Sequence, residues 1–287
     1  APDDKGYDWC HKFATAVIVG ENTHYIVGVC PLGSTEYADT EKYPGQDRSY
    51  YVGDVARRLL SIADDYVNIR MVYADREFRA TDVIHTLNEK GLDYIIPAVQ
   101  DQHRIGPMCD NFDQLKRGYD EENDTPLYVK NDHPMHGRVK HGSLNEKVYT
   151  NVVILPPDED DDTHEEGSPQ PFLTSLSVSD EIALDRKWAT EQVEEYSDRG
   201  AIENSYSSVK KTCAWTTSRE IEVRWFHFAF GCIVYNMWLL VDFLTQERIG
   251  VIETRKKPRI QLSRFLDWLD DLLDTWIQEG LEVVTLR

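Results

Sequence analysis

Four residues that share one predicted helix frame the chemistry: Tyr196, Arg199, Glu203 and Lys210, in the pattern Tyr-x2-Arg-x3-Glu-x6-Lys. The spacing predicts a helix over about 188–211. At about 100° per residue, Glu203 falls about 20° from Tyr196, Lys210 about 20° from Glu203, and Arg199 about 60° away. That face presents a carboxylate, two cations and a phenol. Arginine forks two phosphate oxygens and lysine adds a point charge, while a carboxylate suits a hard divalent ion. The plainer alternative is a solvated face whose charges pair along the helix. A second carboxylate, Asp75, follows the apolar run 69–74 and precedes Arg76-Glu77-Phe78. At the carboxyl end of a parallel strand it would face the crevice where α/β folds bind ligands. An aspartate there can equally cap the next turn. A strand-end Asp and a helix Glu more than 100 residues later could meet at one metal pair.

These residues need elements to position them. Residues 11–31 read as a hairpin, with apolar residues 13–19, a turn at Gly20-Glu21-Asn22, and an extended run at 25–30. Residues 48–66 carry Val52, Val55, Leu59, Ile62 and Tyr66 at helical spacing. Extended residues 67–74, a helix over 81–90 ended by Gly91, and extended residues 94–99 form a strand-helix-strand crossover, hence a parallel pair. Together with the hairpin these predict an α/β fold, a mixed sheet flanked by helices. Residues 125–156 are strand-rich and read as an inserted β element. Residues 156–171, holding Asp158-Glu159-Asp160-Asp161-Asp162 and Glu165-Glu166, read as a disordered acidic linker. Two long helices are expected over 182–244. The second carries Trp225-Phe226-His227-Phe228-Ala229-Phe230, and its density of apolar residues predicts burial. A last amphipathic helix is expected over 262–279.

Composition bounds the class. The 287 residues are 41% hydrophobic, enough for a sizeable core. The net charge of −20 counts against a DNA enzyme, which is normally basic where it meets phosphate. Because acidic residues lie all along the chain, they read as a surface coat suited to a salt-rich cytoplasm, where a Debye length of about 3 Å near 1 M mutes their repulsion. Halophilic origin is the expectation. No uninterrupted apolar run reaches membrane-spanning length and the first residues do not resemble a signal peptide, so a soluble intracellular protein is expected. Five cysteines without a C-x-x-C pair argue against a disulfide framework. His133-x2-His136-x4-His141 lacks a partner that would complete a metal spacing, and reads as a DNA or solvent contact. The basic run Arg255-Lys256-Lys257-Pro258-Arg259 reads equally as a DNA grip or a solvated loop.

Tyr-Ala-Asp-Arg-Glu-Phe at 73–78 followed by Tyr-x2-Arg-x3-Glu-x6-Lys resembles the insertion-sequence DDE transposases, in the subgroup with the YREK signature. The resemblance runs from the hairpin near His11 to the apolar helix after Lys211, and it implies an RNase H-like catalytic fold. It implies Asp75 and Glu203 as catalytic, metal-holding carboxylates for two Mg²⁺ or Mn²⁺ ions, with Tyr196, Arg199, Lys210, Lys211 and Arg76 on DNA. On this reading residues 1–124 begin the catalytic core, 125–171 are the β-rich insertion and linker, 172–250 complete the core with helices, and 251–287 form a C-terminal helical element. The implied activity is cut-and-paste transposition, the implied partners are transposon ends and target DNA with a homodimer pairing the ends, and the implied location is the cytoplasmic nucleoid.

One departure stands out. The family's first catalytic Asp lies on a strand ahead of the hairpin, whereas Asp3, Asp4 and Asp8 follow no apolar strand. A truncated N-terminus is therefore expected. Three other readings remain: a domesticated remnant that binds DNA without cutting, an RNase H-like nuclease that hydrolyses without joining, and an acidic enzyme unrelated to nucleic acid, which leaves the shared helical face unexplained.

Overall fold

A computed structural model describes residues 11–20, 24–33, 51–100, 104–118, 126–137, 139, 147–157, 167–197, 200–214, 216–218, 220–250 and 258–285. Outside the described residues lie Asp3, Asp4, Asp8, the turn residues Glu21 and Asn22, His141, the acidic run 158–166, Arg199, and the basic residues 255–257. The chain divides into two units, Leu32–Arg199 and a second made of Ala1–Pro31 with Gly200–Arg287.

In the first unit the expected crossover is present: β3 (Met71–Tyr73), α2 (Thr81–Lys90) and β4 (Asp93–Pro97). β3 and β4 pair in parallel, Met71 opposite Asp93 and Tyr73 opposite Ile95. Gly91 ends α2 at φ 63°, a left-handed conformation that glycine adopts without a Cβ penalty. α1 (Val52–Asp64) buries Val55, Ala56, Leu59 and Leu60. Val55 and Leu59 of the expected face are buried, joined by Ala56 and Leu60, whereas Tyr66 lies past the end of the helix and is exposed.

The sheet has five strands in the order β3-β4-β7-β6-β5, where β5 is Tyr128–Pro134, β6 Tyr149–Leu155 and β7 Gln170–Thr174. β7 runs antiparallel to both β4 and β6. The strands expected as an insertion therefore continue the sheet that carries Asp75, joined to it through β7. That strand was not foreseen. Its first two residues, Gln170 and Pro171, close the stretch that reads as an acidic linker, and proline is a poor strand former, yet all five residues of the strand are buried.

Alternation along the inner strands loads both faces. Tyr94, Ile96, Val152, Ile154 and Leu173 pack on one side with Ile84 and Leu87 of α2. On the other side Ile95, Val153 and Phe172 pack with Ala189, Val193 and Tyr196 of α5 (Ala183–Ser197). Residues i and i+1 of a strand point to opposite faces, so each short strand serves two helical layers. Two short helices, α3 (Gly106–Asp110) and α4 (Phe112–Leu115), add Cys109 and Phe112 to the first layer.

In the second unit β1 (Lys12–Val19) and β2 (His24–Leu32) form a sheet of their own, where the sequence suggested part of the mixed sheet. Helices α6 (Gly200–Thr212), α7 (Ile221–Arg248) and α8 (Leu262–Thr285) complete this unit. Its core joins Ile26, Val209, Cys232, Tyr235, Trp238 and Phe265. Polar latches fix α7. The Asn236 side chain donates to the Ile26 carbonyl at 2.7 Å and accepts from its N–H at 3.1 Å, and Trp225 Nε1 donates to the Val29 carbonyl at 3.1 Å. Asp242, buried, accepts from the backbone N–H groups of Arg259 and Ile260 at 2.7 and 2.8 Å. The burial expected for α7 from its apolar density holds on one face only: Phe226, Phe230, Ile233 and Leu240 are exposed. Apolar density alone does not say how many faces of a helix find a partner. α7 is also long and apolar enough to cross a membrane by length and composition, but its inner face is committed to this core.

α6 and α7 meet at a glycine. Thr212 Oγ1 donates to the Gly231 carbonyl at 2.7 Å, and a Cβ at Gly231 would stand 2.5 Å from Cys213 Sγ and 3.2 Å from its backbone. Gly231→Ala is expected to force the helix ends apart and lower stability by about 1–3 kcal/mol, despite alanine's better helix propensity. Urea unfolding followed by circular dichroism measures it, and an unchanged midpoint would contradict this packing.

Candidate functional site

Asp75 stands two residues beyond β3, at the carboxyl end of the parallel pair. The Ala74 N–H still donates to the Ile95 carbonyl at 3.3 Å, so the ladder holds the chain up to the residue before it. There the chain turns into a single 3-10 turn, Arg76–Phe78, and Asp75 caps it: Oδ1 accepts from the Arg76 N–H at 2.7 Å. Capping and ligation do not compete for the whole group, because a carboxylate has about four lone-pair sites. The side chain is exposed, as is Arg76 beside it.

Over 188–211 the described residues are helical on both sides of Asp198 and Arg199, which lie outside them. α5 ends at Ser197 and α6 begins at Gly200, so Tyr196 lies on the first and Glu203, Lys210 and Lys211 on the second. There Glu203 precedes Lys210 by seven residues, about two turns. Lys210 and Lys211 are exposed in the last turn, where cations also complement the helix dipole. Asp75 belongs to the unit Leu32–Arg199, and Glu203 to the other.

Tyr196 is buried, 2% exposed. Its ring packs edge-on against Phe172 at 5.9 Å and lies tilted against Tyr73 at 6.3 Å. Tyr73 in turn donates its hydroxyl to Glu195 Oε2 at 3.1 Å. Burial first, then the hydrogen bond to Glu195 and its charge, push the Tyr73 phenol up to about 12. The end of α5 is thus fastened to the last residue of β3, two positions before Asp75. Sequence reasoning missed Tyr73 and Glu195. The signal available was their placement, one residue at the end of the strand and one next to Tyr196.

The donors on offer toward a divalent ion are carboxylate oxygens, the right chemistry for Mg²⁺ or Mn²⁺. Among the described residues no group of three or more His, Cys, Asp or Glu gathers. His133 is buried on β5 beside a register irregularity, and His136 lies just past the strand. The described cysteines Cys30, Cys109, Cys213 and Cys232 are free thiols.

Comparison with known proteins gives two findings. A family model described as "Transposase DDE domain" matches residues 51–237. The fold is similar to that of the piggyBac transposase in a synaptic complex with hairpin DNA, with a TM-score of 0.52 at 9% identity over 90% of this chain. The match spans 45% of that structure's chain. Among curated proteins no relative matches.

The Tyr73–Glu195 bond makes a pH prediction. A phenol whose value rises on folding adds stability that is fully present below its ordinary value near 10 and is lost as pH climbs toward 12. Tyr73→Phe is expected to cost about 1 kcal/mol at neutral pH. Above pH 10 the urea midpoints of wild type and variant should converge, and a constant gap would deny Tyr73 this part.

Proposed function

The chain belongs to the transposase DDE domain family, and from that premise we propose that it cuts DNA at the ends of a mobile element and joins those ends to a target, as a cut-and-paste transposase of the YREK-signature insertion-sequence subgroup. The observation that carries this reading is that the matched span, 51–237, contains both Asp75 at a strand end and the Tyr196, Arg199, Glu203 and Lys210 series. An RNase H-like hydrolase would need the same carboxylates. The extra cations, Arg199 and Lys210, favour an enzyme that must hold one particular DNA end through two reactions.

In this reading Asp75 and Glu203 hold two Mg²⁺ or Mn²⁺ ions. Such ions supply a nucleophile of lowered pKa and stabilise the departing oxygen. Arg76, Arg199, Lys210 and Lys211 hold phosphates, as guanidinium forks and ammonium point charges. Tyr196, packed against Tyr73, keeps the end of α5 close to the strand that carries Asp75, and the Arg76 N–H holds one oxygen of the Asp75 carboxylate in place. Water oxygen bonds to phosphorus as the bond to the 3′ oxygen breaks. The freed 3′-hydroxyl then attacks a target phosphodiester, so one bond forms for each that breaks in both steps. We read the surplus of negative charge as a coat suited to a salt-rich cytoplasm and place the protein at the nucleoid, with transposon-end and target DNA as its partners.

The test is metal-dependent cleavage of DNA bearing the element's end by the full gene product. Wild type is expected to cut with Mg²⁺ or Mn²⁺. Asp75→Asn and Glu203→Gln should each slow cutting roughly a thousandfold, the loss of about 4 kcal/mol of charge stabilisation, while retaining binding. Binding without cutting by wild type would favour the DNA-binding remnant; cutting without strand joining would favour the nuclease. In a separate measurement, Lys210→Ala should weaken binding evenly across sequences and lower the salt slope by about 1. An unchanged slope would take Lys210 off the phosphate backbone.

A further inference from the structure

α8 outruns its own core. At about 100° per residue, its nine apolar residues between Leu262 and Ile277 fall within about 180° of the helix circumference, and Asp267, Asp270, Asp271 and Asp274 all lie in the other half. Over the first two turns the apolar face is covered: Phe265 is buried, and Leu262, Leu266 and Leu269 pack with it in the core of the second unit. One turn further along, the same face is open. Leu273, Trp276 and Ile277 are 46%, 65% and 59% exposed, and Trp268 at the edge of the face is 54% exposed. The two tryptophans alone leave on the order of 250 Å² of surface in water. Tryptophan is enriched in the buried centres of protein interfaces and among the residues that dominate binding there.

We propose that this open stretch of α8 docks a cationic amphipathic helix of another protein, one whose apolar stripe is bordered by lysines or arginines. Spacing argues for a helix. Trp268, Leu272 and Trp276 follow one another at intervals of four, with Leu273 and Ile277 beside the last two, which is the anchor pattern of helix recognition. Charge argues for a cation. All four aspartates are exposed alongside the apolar face, and no lysine or arginine occurs between Arg264 and Arg287. Flanking charge of a single sign selects its opposite and rejects its like. A second copy would bring the same aspartates against these, and a phosphate backbone or an anionic bilayer would meet like charge. The inference uses none of the residues placed on metal or DNA, so it stands apart from the catalytic reading.

Fluorescence anisotropy tests it, using the full chain and a labelled peptide of leucine and lysine with its leucines at helical spacing. Wild type is expected to bind this peptide. It should bind at least about tenfold more weakly a peptide with glutamate in place of lysine, and likewise one of unchanged composition whose scrambled order leaves no apolar stripe. The scrambled peptide separates docking from the general attraction of a chain of charge −20 for cations. Trp276→Ala with Ile277→Ala should weaken binding at least about tenfold. Its circular dichroism melt should be unchanged, because both side chains are exposed. Asp270→Asn with Asp274→Asn should weaken binding at low salt and less as salt rises. Tyr66→Ala, at an exposed aromatic on the other unit, should leave binding as it is. Failure of wild type to bind, equal binding of the scrambled peptide, or indifference to the Trp276 double variant would overturn the proposal. So would a wild-type dimer in sedimentation that this variant makes monomeric, or wild-type partition onto phosphatidylcholine vesicles that it abolishes.

Discussion

β4 must satisfy hydrogen bonds on both of its edges while burying both of its faces, and much of the first unit follows from that demand. β3 takes one edge in parallel and β7 the other in antiparallel fashion. Tyr94 and Ile96 enter one apolar layer and Ile95 the other. A strand in this position tolerates no unpaired polar group, because each would be orphaned from water, and the one buried hydroxyl on β4, that of Tyr94, donates to Thr150 Oγ1 at 2.9 Å. Its demands hold β3 in register, and that register puts Asp75 just past the sheet's carboxyl end. The carboxylate is exposed, but its location is decided by residues that are not.

How far the sequence could be read depends on whether the signal was local. α2 and Gly91 were legible because helical periodicity and a left-handed cap are encoded within a dozen residues. β3 and β4 were legible as apolar runs on either side of that helix. β7 was not, since Gln170-Pro171-Phe172-Leu173-Thr174 gains its strand character from neighbours at 93–97 and 149–155, which a linear pattern does not display. Asp75 could be picked out, together with both of its possible parts, and its cap is seen in the structure. Helical spacing over 188–211 says which residues share a face but not which of them are covered, and Tyr196 is buried against Phe172 and Tyr73. Likewise α7 was read by how apolar it is, when the informative quantity was where around the helix each apolar residue falls.

An excess of acid on a protein of a DNA-handling family poses less of a conflict than the total suggests. Screening limits exposed charges to a range of about 8 Å at physiological ionic strength. A phosphate close to Lys210 and Lys211 therefore responds to those two ammonium groups more than to carboxylates far across the surface. What the total does affect is approach: a field of −20 opposes encounter with a polyanion at low salt, so association gains from the same screening that weakens the contacts once made.

The strand order also governs how the molecule comes into being. β4 ends at Pro97 and its partner β7 begins at Gln170, so the edge that β7 will cover stays open while more than seventy residues are added. At about 5–20 residues per second that is several seconds on the ribosome. In this interval the β3-α2-β4 crossover has only one of the layers that will bury its strands, and an uncovered strand edge invites pairing with other chains. Closure waits on a contact between distant parts of the sequence, which makes folding slow relative to the local helices. The two acidic stretches synthesised meanwhile, Asp120-Glu121-Glu122 and the run at 158–166, give every nascent copy the same negative charge during its most adhesive period. Repulsion between neighbouring polysomal chains would then guard an edge that the fold itself leaves open until late.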